Sequence, residues 1–467
     1  MSTYEIVNPA TEQVVGEAPE ATVDEVSSAA SAAATAFHSW SRTTPEERAA
    51  LLDRAADVIR EHVDELIPLV QAETGATLRV TQTMQVPTCV DRFRRYARGA
   101  MEANVIPLPP SVMPSTALAS GGLMSAIAVR QPVGVVACIT PYNFPIVNMA
   151  GKLGPALAMG NTVVVKPAPQ DPLAVIRVVE LIQGVFPEGV VNVVTGSQPE
   201  VGEALVASPD VDMVSFTGST VVGQRIGEVA GRGMKRLLLE LGGKGAAVVF
   251  DDADVKTAVA TIMSVWAFHS GQICTAPTRV IAQRGVYDQI VGGLQAAAGR
   301  LKVGDPLAPD TVVGPVISAP HRDRVESYVR AGADEGGTIV VGGERPDMAT
   351  GYYVAPTLIA DCKAGMKVVQ EEIFGPVVVV VPFDDEDEGV ALANGTDFGL
   401  YDYVFSGDTA RAMRVARQLR SGNVGINTAQ RNHEAPFGGF KQSGVGRDGG
   451  SFGLHAYSEL QSIVWPS

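Results

Sequence analysis

Cys274 stands in FHSGQICTAPTR, 268–279, just past a Gly-Gln pair and ahead of a Thr-Ala-Pro break. Helix-compatible residues precede it and a β-like run, 278–282, follows. A thiol at an element boundary can face a cleft and attack a carbonyl once it is a thiolate. Taken alone it also fits a buried, inert cysteine. Glu240 closes an apolar run in LELGGK, 239–244, bounded by glycines. A carboxyl in apolar surroundings has a raised pKa and suits a general base; an exposed strand-end glutamate is the other reading. Asn143 lies between two prolines in TPYNFP, 140–145. Its amide can donate to an oxyanion or cap a helix. FTGST, 216–220, with Gly223 beyond it, reads as a strand end, a tight turn and a helix start. Backbone donors there suit a phosphate or pyrophosphate. Lys166 ends the run TVVVK, where a cation suits a ribose or phosphate, or simply solvent. EEIFGP, 371–376, precedes the strongest β run of the chain.

These residues need elements to position them. Residues 4–16 predict a hairpin around Asn8-Pro9. Thr22 with Glu25, and Thr44 with Pro45 and Glu47, predict capped helix starts. Helical periodicity continues to about residue 103. The Pro-rich segment 105–119 marks a change of element, and 122–132 reads as an extended arm. From 133 strands and helices alternate: strands 133–140, 162–166, 191–194, 212–216 and 236–240, with helices between them. Asp171-Pro172 is expected to cap the second of those helices. This spacing predicts a doubly wound α/β domain, which binds ligands at the carboxyl ends of its strands. A GxGxxG fingerprint does not follow the first strand. A second α/β series begins near 245, and the tail 457–465 alternates like an edge strand.

The chain has 467 residues, 46% hydrophobic and 19% charged, enough for two to four domains. A formal charge of -15 argues against nucleic acid and against an anionic membrane surface. No run approaches about 18 consecutive apolar residues, so no membrane span is expected. The N-terminus, MSTYEIVNPATEQ, lacks the basic and apolar regions of a signal peptide. Four cysteines, Cys89, Cys138, Cys274 and Cys362, lie far apart with no CxxC pair. That usage fits a reducing, cytoplasmic setting, and the histidines do not cluster with them into a metal site. The acidic run 384–388 reads as a solvated loop or helix start.

In order, PYNFP, the lysine after TVVV, FTGST, LELGGK, GQICTAPTR, EEIFGP and APFGGFKQSGVGR resemble the aldehyde dehydrogenase superfamily over essentially the whole chain. The resemblance implies an α/β fold of three parts. Residues 1–112 and 133–242 would form the NAD(P)-binding domain, with 443–456 a candidate to rejoin it. Residues 243–442 would form the catalytic domain, and 113–132 with 457–467 an oligomerisation arm. It implies oxidation of an aldehyde to an acid. Cys274 would form a thiohemiacetal and then a thioester, Asn143 would hold the oxyanion, and Glu240 would activate the hydrolytic water, with Lys152 near the site. Cofactor contacts would come from Thr140, Pro141, Tyr142, Lys166, Thr217, Gly218, Ser219, Gly223, Leu241, Glu372 and Phe374. Phe144, Asn148, Phe268, Arg431 and His433 would line the substrate side. The arm would build a homodimer or homotetramer.

Two departures shape the expectations. Many NAD-preferring members carry a glutamate three residues after the cofactor lysine, whereas this chain has Pro169. NAD is therefore expected, with NADP use open as well. Gly151 stands where some relatives carry a bulky aromatic residue, which predicts a wide tunnel and an aromatic or branched aldehyde of the benzaldehyde type. Arg431 and His433 in the terminal loop suit a carboxylate instead, as in succinic semialdehyde oxidation, or are simply exposed loop charges. Glu240 argues against a CoA-acylating enzyme. Cys274, Glu240 and Asn143 together argue against an inactive binding homologue, and no histidine holds the base position of a cysteine hydrolase.

Overall fold

Uninterrupted apolar runs build the centre of the first sheet. Val135–Ile139 and Thr162–Lys166 are buried along their whole length, as parallel strands covered by helices on both faces must be. The computed structural model describes residues 2–466. In its six-stranded first sheet Val135–Ile139 lies between Thr162–Lys166 and Met213–Thr217. Val191–Val193 extends one side and Arg236–Glu240 the other. The chain thus reverses its direction of travel beside Val135–Ile139. Carboxyl-end loops diverge at such a switch point and leave a crevice. The two-residue strand Gly444–Val445 returns late in the sequence and pairs antiparallel with Leu239 and Glu240.

The second sheet has seven strands and is centred on Ala246–Val249, Arg279–Gln283 and Val377–Phe383. Tyr401–Phe405 and Asn423–Ile426 continue one side in parallel. Thr357–Ala360 and the antiparallel Thr338–Val341 close the other. The strands at 338–341, 357–360 and 423–426 were not expected from sequence.

The expected capping boxes form at Thr22 and Thr44, each with its glutamate bonded back to the cap backbone. Asp385 caps Glu386–Asn394, so the acidic run is a helix start. Asp171 does not cap its helix. Its carboxyl is buried with no hydrogen-bond partner. Glu73 performs that task from a distant helix, accepting from the N–H groups of Leu173 at 2.7 Å and Ala174 at 2.9 Å.

The arm is a three-stranded antiparallel sheet in which Gly122–Pro132 pairs with Ser458–Pro466 on one side and Val105–Met113 on the other. Residues 105–112, expected with the cofactor domain, therefore belong to the arm sheet. Pro107, Pro109 and Pro110 fit because this is an edge strand, and the pairing shifts register between Leu108 and Ser111.

Candidate active site

Cys274 follows a turn that no ordinary helix provides. His269 and Ser270 have φ of 49° and 56°, and Gly271 follows at 72°. Such left-handed residues persist only where surroundings enforce them. Ser270 Oγ is fixed on the Gly314 carbonyl at 2.8 Å. A Cβ at Gly271 would come within 2.7 Å of Pro376 N, so only glycine lets this turn pass the EEIFGP loop. The turn delivers Cys274 to the cleft wall, partly exposed, whereas Cys89, Cys138 and Cys362 are buried. Burial in apolar surroundings pushes the Cys274 thiol up to about 12, and Arg431 is the charge that most opposes this.

Glu240 ends its strand at the same cleft. Neither carboxyl oxygen has a hydrogen-bond partner within the protein. Burial, then the neighbouring Asp448, hold its pKa well above the usual carboxylate range, while Lys152 pulls the other way. A carboxyl poised in this way can receive a proton from a nearby water. Asp448, which sequence reasoning missed, also lines the cleft.

Asn143 is buried, and its Nδ2 donates to the Gln272 carbonyl at 2.9 Å while its Oδ1 accepts from Phe144 N at 3.0 Å. The helix after it, Pro145–Ala158, has no side-chain cap, so the cap reading of Asn143 fails. One amide hydrogen remains for a substrate oxygen.

The cofactor side carries the features of a dinucleotide site. Ser219 caps the helix Thr220–Arg232, and Thr217, Gly218 and Ser219 line the cleft at that helix's N-terminus. Lys166 is buried at the cleft wall with only long contacts, 3.2 and 3.4 Å, to the Pro167 and Gly196 carbonyls. Burial pushes it down to about 8, opposed by Glu20. Such an under-satisfied cation fits ribose hydroxyls or phosphate. Glu372 accepts from Gly243 N at 2.9 Å. A Cβ at Gly242 would lie 2.9 Å from the Glu372 carboxyl carbon, so glycine there admits it. Burial raises Glu372 to about 7, opposed by the Gly243 bond and then Lys244. Phe374, at φ 59°, packs edge-on to Tyr142 at 5.9 Å, and its carbonyl accepts from His321 Nε2 at 2.7 Å. Thr140, Pro141, Tyr142 and Leu241 complete this wall.

One cleft of about 1070 Å³ joins these groups with Phe144, Asn148, Phe268, Arg431 and His433. Two expected residues stand outside its lining. Lys152 lies behind Glu240, donating to Ser215 Oγ at 3.2 Å, and Ser215 shares a 2.8 Å bond with Tyr457 OH. Gly223 serves packing, because a Cβ there would meet Leu241 Cδ1 at 2.8 Å. The open space expected beside Gly151 is occupied. A Cβ at Gly151 would come within 3.0 Å of Arg92 Cζ, so the Arg92 guanidinium fills that space. Arg92 was missed by sequence reasoning. Its signal is the spacing Met84, Thr88, Arg92, four residues apart along one wall of the cleft.

Comparison with known proteins agrees with this arrangement. The sequence pattern of the aldehyde dehydrogenase family matches residues 1–463. Betaine aldehyde dehydrogenase of Bacillus subtilis is 37% identical, over 98% of this chain and 93% of its own length. Mitochondrial succinate-semialdehyde dehydrogenase of Arabidopsis thaliana is also 37% identical, over 99% of this chain and 86% of its own. The crystal structure of Staphylococcus aureus betaine aldehyde dehydrogenase in complex with NAD+ superposes with a TM-score of 0.94 at 38% identity, covering 99% of this chain and 91% of that one. With the pattern matched over nearly its full length, the chain belongs to the aldehyde dehydrogenase family.

Proposed function

We propose that this NAD-dependent aldehyde dehydrogenase works through Cys274, Glu240 and Asn143 in the roles their surroundings favour. The observation that carries this reading is the convergence of all three on one cleft that also holds Lys166, with only two long hydrogen bonds, and a capped helix N-terminus. Cys274 Sγ, once deprotonated, bonds to the aldehyde carbon, and the carbonyl oxygen becomes an oxyanion. The free Asn143 Nδ2 hydrogen and the Cys274 backbone N–H donate to that oxygen. NAD+, when bound, accepts the hydride that leaves the adduct, and a thioester remains on Cys274. Glu240 then takes a proton from water, whose oxygen attacks the thioester carbon, and the Cys274 sulfur leaves as the acid is released. Thr217–Ser219 and Lys166 are the residues that would hold the dinucleotide, with Glu372 on a ribose.

The test is NADH formation by the purified protein with a panel of aldehydes, beside Cys274→Ala. Turnover that Cys274→Ala abolishes is expected; turnover that survives it would reject the mechanism. We propose NAD as the main cofactor with NADP also used. Pro167, Ala168 and Pro169 line the adenosine end without a carboxylate to repel a 2′-phosphate, although Glu203, tied to Arg225 at 3.1 Å, stands in the same wall. Activity with NAD alone would remove the second cofactor.

We further propose a homodimer or homotetramer built on the arm, with 1–104, 133–242 and 443–456 as the cofactor domain and 243–442 as the catalytic domain. The edge strand Ser458–Pro466 leaves Leu460, Val464 and Trp465 exposed, and an unpaired apolar edge favours pairing with another copy. A monomer by light scattering at micromolar concentration would refute the assembly. The absence of disulfides among the four cysteines supports a cytoplasmic location. No helix among the described residues is long and apolar enough to cross a membrane.

A further inference from the structure

Two guanidinium groups, Arg92 and Arg431, line the cleft that also holds the Glu240 and Asp448 carboxyls. Arg92 spends one donor on the Val147 carbonyl at 2.9 Å. Arg431 stacks on Phe437, 4.0 Å from the ring centroid, and lies 5.9 Å from that of Tyr401. Neither takes part in an ion pair among the described residues. The acidic residue nearest Arg431 in sequence is engaged elsewhere. Glu434, three residues beyond Arg431, is gripped at both oxygens by Arg95 at 2.5 and 2.6 Å. His433 lies within reach of both charges: burial lowers its pKa, then Arg431, then Arg92. The two arginines therefore share one end of the cleft, and Arg431 is also the cation that acts most strongly on Cys274.

Arg92 is half-buried and Arg431 stands exposed, so both are open to an incoming ligand. Phe144, Phe268, Phe437 and Val147 line the same side. A planar guanidinium matches a carboxylate in bidentate geometry. Gly151 is part of the arrangement, since any side chain there would displace the Arg92 guanidinium.

We propose that Arg92 and Arg431 form a carboxylate-binding end of the substrate tunnel, and that the substrate is a short aldehyde carrying a carboxylate at the end remote from its carbonyl. This rests on the aldehyde dehydrogenase reading above. Asn143 and Cys274 take the aldehyde end, and the arginines fix the other. A neutral aldehyde of the same length forgoes the hydrogen bonds to both guanidinium groups, so the acid is preferred.

The experiment compares matched pairs of aldehydes, each an ω-oxo carboxylic acid against its methyl ester, from three to six carbons, by kcat/KM with saturating NAD+. The carboxylate is expected to be preferred about 10- to 100-fold at its best length. Arg92→Met and Arg431→Met each lower that preference about 10-fold, chiefly through KM for the acid. Arg92→Lys restores part of it, because it keeps the charge and loses only the fork. An ester used as well as its acid at every length overturns the proposal. So does a pair of variants in which acid and ester fall equally, which would mark the arginines as structural. Esters oxidised while acids are not preferred leave the aldehyde dehydrogenase reading standing and remove this one alone. No NADH from either class would remove the parent reading instead. Gly151→Leu, which crowds Arg92 without touching its charge, is expected to lose the same preference and gives an independent arm.

Discussion

Asn143 is held by the loop that carries the nucleophile: its Nδ2 donates to the carbonyl of Gln272, two residues before Cys274, at 2.9 Å. The oxyanion donor and the nucleophile are thus parts of one hydrogen-bonded unit, although the sequence separates them by more than a hundred residues. Gln85 supports the same unit by donating to the Asn143 carbonyl at 3.2 Å. It does so from the π-helical turn Thr81–Gln85 that leads into the helix bearing Arg92.

Removing that donor should slow chemistry more than binding. Asn143→Ala is expected to lower kcat by about 10²- to 10³-fold. NADH binding, followed by fluorescence, should stay within a few-fold of the parent protein. A kcat within threefold of the parent would show that the oxyanion is held elsewhere.

Glu240→Gln should separate the two half-reactions. Rapid mixing should show a burst of about one NADH per active site, followed by turnover slowed about 10²- to 10⁴-fold. The parent enzyme's deacylation should rise with pH over a range above that of an ordinary carboxylate, because burial keeps the Glu240 pKa high and only the deprotonated carboxylate accepts a proton from water. The variant should lose that rise. Equal slowing of burst and steady state would place Glu240 in the first half-reaction instead.

The free enzyme should guard its thiol. With the Cys274 pKa pushed up to about 12 by burial, alkylation by iodoacetamide is expected to be slow at pH 7 and to accelerate steadily through pH 10. Mass spectrometry of the modified peptide follows this directly. Fast, pH-independent labelling at pH 7 would mean a thiolate already formed in the free protein.

Stability should carry a signature of Glu73. An unfolded glutamate titrates near 4.5, whereas burial raises Glu73 to about 8, opposed by the two bonds from Ala174 and Leu173. Between those values the folded state binds more protons than the unfolded one. The contribution is therefore full below pH 4.5 and is lost as the pH climbs toward 8. Buried Asp171 is shifted in the same direction, by burial and then by Glu73. Glu73→Gln should flatten the fall in urea midpoint between pH 5 and 8.5. An unchanged slope would assign the fall to other groups.

What could be read in the sequence follows a physical divide. Buried parallel strands such as Val135–Ile139 announce themselves by unbroken apolar runs, and cap residues such as Thr22 act within one turn. Catalytic candidates at strand ends were found because strand and motif coincide. Features set by distant partners were not legible. Three prolines argued against a strand at 105–113, yet an edge position makes them harmless. Gly151 looked like open space because nothing local reveals that Arg92, from another helix, fills it. Asp171 looked like a cap, but Glu73 reaches the same N–H groups from across the fold. Lys152 and Gly223 sit close to the cleft in sequence terms but do not line it, one bonded to Ser215 and the other packed on Leu241.

The late strand Gly444–Val445 has a mechanical consequence. The backbone passes between the two sheets only twice: outward after Glu240 and back before Gly444, and these residues are paired with each other, with Leu241 N also bonded to the Ser443 carbonyl at 3.0 Å. Glu240 therefore stands at the joint itself, gripped by the chain on its way out and again on its way back. The base belongs to neither half alone, and loosening that short strand would unseat it before it disturbed the rest of either sheet.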